Sequence, residues 1–444
     1  MLTVSQLRRH LPLLTQFLTG QLALQFLNIV NGFFLLRWLT IDQQAQFSFA
    51  FSIQMFLSSL SDFGFSGSII ALTGGNYLNK GIVGRYVNTA TTLRNKFFYL
   101  SCIVCLAAYP LLIRKQHWDP KLFAVNLLPV LLAVYSQANA AIYAVPLILE
   151  KKMNQLFVPQ VCSSAARLMA NYALYLSALI SAGSTLLVNA LLLLFNAKAI
   201  KRVSCRYFQH EISATQESKK EMFSYLKPMI PSLLFNSIYG QVQIFLITYF
   251  GKSANIAEVA ALGRLSQVFV LLAAFNEMIV APIIAKSTFV RLWKNYVSMV
   301  CVAIAIAVSL LFSALLWPHL YMLLLGEKFY HLEDQLIYLL MNASLAYVGG
   351  VLWTMHSARK WIFWWGTWTY IVGITLCQAA GIILLDLSTT HGVLLLGLST
   401  NLFVMLTHIL TGLVGFANEY RARDSGSQRE PSASHVQVFV CKSQ

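Results

Sequence analysis

Apolar runs of about twenty residues follow one another along this chain with little between them, and about twelve can be drawn. They predict helical spans at 11–38, 46–72, 95–114, 122–149, 156–180, 184–200, 226–250, 257–285, 296–317, 335–357, 362–385 and 391–417. Each is long enough to cross a bilayer's hydrocarbon core at 1.5 Å per residue. The pattern therefore predicts an all-α polytopic membrane protein. The longest connector, the charged segment from Lys198 to Glu221, divides the spans six and six. The expected organisation is an N-terminal six-helix lobe at 1–200, a cytoplasmic linker at 201–222, a C-terminal six-helix lobe at 223–417 and a disordered cytoplasmic tail at 418–444.

The two halves echo each other. In each, a polar-striped span leads through a short outer loop to an Ala/Ser-rich span: QAQFSFAFSIQMFLSSLSDF in the first, AEVAALGRLSQVFVLLAAFNEM in the second. Six spans is an even number, so both halves run in the same direction. That implies a pseudo-twofold axis along the membrane normal and an expected transport cavity between the lobes.

Composition agrees with this reading. The chain is 57% hydrophobic and 11% charged, with a mean hydropathy of +0.64. No connector exceeds about 25 residues, too short for a separate soluble domain. The net charge of +16 would suit nucleic acid, but its distribution argues otherwise. Basic residues gather at Lys80, Arg85, Arg94 and Lys96, at Lys151 and Lys152, across Lys198–Lys220, at Arg291 and Lys294, and at Arg359 and Lys360. The intervening loops carry the acids Asp42, Asp119, Glu327, Glu333, Asp334 and Asp386. This alternation is the positive-inside pattern and places both termini in the cytoplasm. The charge reports orientation and contact with anionic lipid rather than nucleic acid. The first span is too long for a signal h-region and no A-x-A site follows it, so it reads as uncleaved.

Helical stripes carry the chemistry. Gln21, Gln25, Asn28 and Gly32 share one face of the first span; Gln54, Ser58, Ser61 and Ser68 line the second, with Asp62 at its edge. Gln160, Ser164, Arg167 and Asn171 line the fifth, and Ser232, Asn236, Tyr239 and Gln243 the seventh. Unpaired polar groups in hydrocarbon cost several kcal/mol each, so these faces turn either to a water-filled cavity or to one another. Asp62, Arg167, Arg264 and Glu277 are ionisable and lie inside spans, where each charge costs roughly 2.5 kcal/mol or more. Either they pair as structural bridges, or the arginines, with Gln267 beside Arg264, attract an anionic group while an acid couples an ion. Asp62 and Glu277 occupy equivalent depths in the two repeats.

Other motifs add less. Most of the seven cysteines lie in apolar segments without a second Cys or His pair, so no metal site is expected. The stretch KWIFWWGTWTY at 360–370 reads as an interfacial aromatic belt, or as a sugar-stacking platform. There is no Walker A motif, Gly-rich phosphate loop or nucleophile triad, so no enzyme activity and no cofactor are expected.

The segment NGFFLLRWLTIDQQAQFSFAFSIQMFLSSLSDFGFSGSIIAL at 31–72 resembles the first-to-second-span signature of polysaccharide-repeat (O-antigen) flippases, within the multidrug/oligosaccharidyl-lipid/polysaccharide exporter superfamily. The outer-loop acid and glutamines and the L-x-D-F-G ending at 60–64 carry the likeness, and AALGRLSQ at 260–267 resembles that family's span-eight segment with its arginine. The resemblance implies flipping of an undecaprenyl-pyrophosphate-linked oligosaccharide across a bacterial inner membrane by alternating access. It also implies possible coupling to a proton or sodium gradient, and partnership with membrane lipids and other polysaccharide-assembly proteins. It makes Arg264 a headgroup contact. The substrate-binding candidates are then Arg167, Arg264, Gln25, Asn28, Gln54, Asn236, Gln243 and Gln267, and the coupling candidates Asp62 and Glu277. A multidrug exporter of the same superfamily and a membrane polysaccharide polymerase are the alternatives.

Overall fold

A computed structural model describes residues 4–76, 78–287 and 289–424, and these are helices joined by short turns. Each expected span is helical. The first, α1 (Val4–Trp38), is followed by α2 (Ile41–Asp62) and α3 (Phe65–Thr73), which together form the second. Then come α4 (Lys80–Lys115), α5 (Pro120–Leu149), α6 (Met153–Leu176) and α7 (Ala182–Ser204). The seventh is assembled from α8 (Gln216–Leu226), α9 (Ile230–Tyr239) and α10 (Val242–Phe250), and the eighth from α11 (Ser253–Leu265) and α12 (Gln267–Lys286). The remainder are α13 (Phe289–Leu316), the short α14 (Pro318–Leu325), α15 (Glu333–Ala358), α16 (Trp364–Leu384) and α17 (Thr390–Asp424). Among the described residues nine helices are individually long and apolar enough to cross a membrane, and ten if the pair bent by 48° around Gly240 is one span. The chain is a multi-pass membrane protein. α6 falls short of that test because it carries the polar stripe around Arg167.

Helix ends follow local chemistry. Thr40 caps α2, accepting from the Gln43 backbone while the Gln43 side chain returns the bond, and Ser181 with Ser184 does the same for α7. The Asp-Phe-Gly signature is the break within the second span. Phe63 and Gly64 are both left-handed, with φ of 43° and 76°, and the Phe63 N–H bonds back to Ser59. Phe63 then stacks on Phe97 at 4.6 Å. A Cβ at Gly64 would lie 3.2 Å from Leu233 and 3.3 Å from Leu226. Gly64→Ala is therefore expected to destabilise the chain by about 1–2 kcal/mol, from left-handed strain plus crowding. A melting curve of the purified protein in detergent checks this.

Packing divides the chain into two compact units, Met1–Ala257 and Glu258–Gln444. In the first, α5 packs along α7, α1 along α6, and α2 on α5 and α4. The seventh span, which opens the expected C-terminal lobe at 223, packs within this unit. Ser237 meets Ser59 at 2.8 Å, Phe245 meets Phe56 edge-on, and Gln116 donates to the carbonyls of Thr248 and Gly251. The 201–222 connector is also built into the unit. Asn88 on α4 donates to the carbonyls of His210 and Ile212, at 3.1 and 2.6 Å, and Gly84 presses against the backbone of Gln209. Tyr86 donates to Glu221 at 2.7 Å. Burial and the Glu221 carboxylate push the Tyr86 phenol up to about 12, so it stays a donor across the physiological range.

In the second unit α15 is the central helix, packed by α12, α13 and α17. Its lower end is a closed aromatic cluster in which Tyr296 and His356 share a 2.9 Å hydrogen bond and Trp361 meets Phe416. Arg359 forks onto the Glu419 carboxylate at 2.6 Å, and the Trp361 indole donates to the same group at 3.1 Å. Trp361 is thus a core residue, whereas Trp364, Trp365 and Trp368 are exposed, as an interfacial belt requires. Helix α17 runs to Asp424, beyond the expected lobe end at 417; the tail from Ser425 lies outside the described residues.

Candidate functional site

Within the first unit, three of the polar stripes converge on Arg167. From the middle of α6 its guanidinium donates to the side-chain oxygens of Asn28 on α1 and Asn189 on α7, the latter at 2.8 Å. Asn189 passes the chain on, donating to Gln54 on α2 at 3.0 Å. The Gln54 amide reaches Gln137 on α5 at 3.5 Å, and Ser58 donates to the same Gln137 oxygen at 3.0 Å. Ser164, one turn before Arg167, also points to Asn28, at 3.4 Å. One turn beyond, Asn171 donates to Asn31 at 2.9 Å. Five helices are joined around a cation by neutral amides and hydroxyls, with Gln54, Asn189 and Asn171 almost wholly buried.

This arrangement has a physical logic. The 3.6-residue repeat aligns Ser164, Arg167 and Asn171 on one face of α6, and Asn28 and Asn31 on the facing side of α1. In hydrocarbon none of these groups has water to fall back on, so they bond across helices. Arginine stays charged even there, and its planar fork holds two acceptors at once. A charge solvated by neutral dipoles offers an anion an attractive field without an opposing carboxylate among those donors and acceptors.

The remaining expected residues lie elsewhere. Gln25 is half-buried one turn before Asn28 on α1. Asn236 on α9 is exposed and Gln243 on α10 half-buried, on either side of the Gly240–Gln241 break. Arg264 and Gln267 flank the short break between α11 and α12 in the second unit, both half-buried. Asp62, at the end of α2, is buried and accepts from Ser66 at 2.9 Å. The Glu277 side chain lies outside the described residues. Asn189, Gln137 and Asn31 are members that the stripes did not single out. Gln137 stands beside Ser136 and Asn139, and Asn189 two turns before Asn196, in spans whose polar residues were not read as stripes.

No family model and no curated protein sequence matches the chain. Solved structures do. An inward-facing multidrug resistance MATE family transporter of the MOP superfamily superposes with a TM-score of 0.66 at 14% identity, covering 91% of this chain and 96% of that one. The lipid II flippase MurJ, in its inward closed conformation, superposes with a TM-score of 0.70 at 14% identity, covering 90% and 89%. An outward-facing MATE family transporter matches at 0.56 and 13% identity, over 92% and 95%. The chain therefore has the all-helical fold shared by these proteins over nearly its full length.

Proposed function

We propose that the chain is a MOP-type transporter, not an enzyme, that flips a lipid-linked, undecaprenyl-pyrophosphate-borne oligosaccharide repeat across a bacterial inner membrane for surface polysaccharide assembly. The observation that carries this reading is the Arg167 network, a half-buried cation held by the neutral side chains of Asn28 and Asn189 within a polar network that joins five helices. Its field suits a pyrophosphate, and its amides suit sugar hydroxyls. The likeness to MurJ, a lipid II flippase, supports a lipid-borne cargo.

In this reading both termini are cytoplasmic, and the halves 1–200 and 223–417 act as the two lobes of an alternating-access cycle. Arg167 and Arg264 draw in the phosphates, Gln25, Asn28, Gln54, Asn236, Gln243 and Gln267 contact the glycan, and Asp62 or Glu277 couples a proton or sodium ion. Membrane lipids and other polysaccharide-assembly membrane proteins are its partners. In cells lacking the chain, lipid-linked oligosaccharide is expected to build up on the cytoplasmic leaflet while surface glycan falls. Single repeats collecting on the outer leaflet would point to polymerisation instead.

The comparable likeness to MATE family transporters favours a second reading, multidrug export. New drug sensitivity without a glycan defect in the same cells would select it. For coupling, Asp62→Asn is expected to flatten the pH or sodium dependence of transport while leaving protein level unchanged. Unaltered ion dependence in both Asp62→Asn and Glu277→Gln would remove the two acids from the mechanism.

A further inference from the structure

A second cationic site lies in the first unit, away from the Arg167 network. A cavity of about 550 Å³ is enclosed by the first half of α4, by α5, by the end of α7 and by the docked connector at 210–214. Arg94, wholly buried, forms part of its wall. One Nη of Arg94 donates to Asn139, and its guanidinium lies 4.9 Å from the centroid of the Tyr135 ring. Its Nε and its other Nη are buried and make no hydrogen bond of good geometry among the described residues, with the Tyr135 side chain as a further polar partner of the guanidinium. A guanidinium has five N–H groups, and leaving them unmet in a closed site costs several kcal/mol, so such a charge calls for an anion.

The other walls supply the rest of an anion site. Lys201, at the end of α7, lines the cavity and lies over the Tyr143 ring at 5.2 Å. His210 enters from the connector, held there by Asn88 and by an edge-on contact with Phe208. Glu211 is the acid in the lining, and Asp62 lies within electrostatic reach of Arg94. Two fixed cations and a histidine thus face one lining carboxylate. Tyr135, also in the lining, is substantially exposed, so the site is open on the side of its ring.

We infer that this cavity binds a phosphate group, with Arg94, Lys201 and His210 in its lining forming a cationic cradle. The phosphate belongs either to a lipid headgroup entering beside Tyr135 or to a soluble phosphate compound. The site is separate from the Arg167 network and does not depend on the proposed cargo.

The test uses the purified full-length protein and measures binding, not transport. In one arm, inorganic pyrophosphate is titrated in detergent by calorimetry. In the other, the protein is reconstituted in nanodiscs of phosphatidylcholine with or without phosphatidic acid, and retained lipid is read by native mass spectrometry. Arg94→Gln is expected to weaken binding by roughly tenfold or more, as removal of charge-assisted hydrogen bonds does. Because Arg94 is buried and its variant may misfold, Lys201→Gln with His210→Gln, which keeps Arg94, is measured alongside and is expected to weaken binding in the same arm. Retention of phosphatidic acid alone identifies a headgroup site, and pyrophosphate binding alone a soluble ligand. Binding in neither arm by the folded wild-type protein, or equal binding by wild type and the double variant, overturns the inference.

Discussion

Arg167→Ala is expected to reduce export of lipid-linked glycan by about tenfold or more at unchanged protein level. Truncation removes the cation, orphans the Asn189 oxygen at a cost of about 1–3 kcal/mol, and leaves the Asn28 oxygen only the longer bond from Ser164. The effect should not be confined to stability. Arg167→Lys keeps the charge but replaces a planar fork with a point donor, so it is expected to restore part of the melting temperature and little of the transport. Asn189→Leu tests the same network from α7, because it severs Arg167 from Gln54. Full export by the Arg167→Ala, Arg264→Ala double variant, measured as surface glycan against membrane level, would sink the headgroup assignment.

The second large effect is expected at Gly84. A side chain there would drive into the Gln209 backbone, and neither helix α4 nor the connector offers flexible atoms to give way. Gly84→Val is therefore expected to unseat the connector from α4, breaking the Asn88 bonds to His210 and Ile212 and opening the phosphate cavity. Limited trypsin digestion checks it. Cleavage at Arg202 or Arg206 should accelerate by about tenfold or more, as expected when a docked segment is released. Wild-type cleavage rates in Gly84→Val would mean that the loop adapts without undocking.

The chain's membrane architecture was legible because span length and apolarity are local properties. So was half of the candidate site. The α1, α2 and α6 stripes each identified the face that meets the others, since a 3.6-residue period fixes direction around a helix. Gln137 and Asn189 were not legible in the same way. Gln137 sits beside Ser136 and Asn139, and Asn189 two turns before Asn196, and only tertiary packing decides that α5 and α7 bring Gln137 and Asn189 to Gln54. The Asp-Phe-Gly motif marked a position without revealing that Phe63 and Gly64 turn left-handed there.

Two features were not legible in the pattern. The likeness between sequence halves groups the seventh span with those that follow, and it did not reveal that Ser237, Phe245 and Thr248 meet α2 and the end of α4. The charged connector was expected only as a cytoplasmic linker at 201–222. Gly84 allows its backbone to approach α4, and Asn88 satisfies two of its carbonyls, so it folds down as a roof instead. Arg94, counted at first among the basic loop residues that set orientation, becomes through that docking a buried charge.

The most direct test of the central claim is flipping by the purified chain in liposomes that carry a labelled undecaprenyl-pyrophosphate-linked oligosaccharide, with leaflet exposure read by an impermeant glycan-modifying enzyme. Rapid loss of leaflet asymmetry with the wild-type chain, and its retention with Arg167→Ala, is the predicted result. Equal rates for wild type, Arg167→Ala and protein-free liposomes would contradict it.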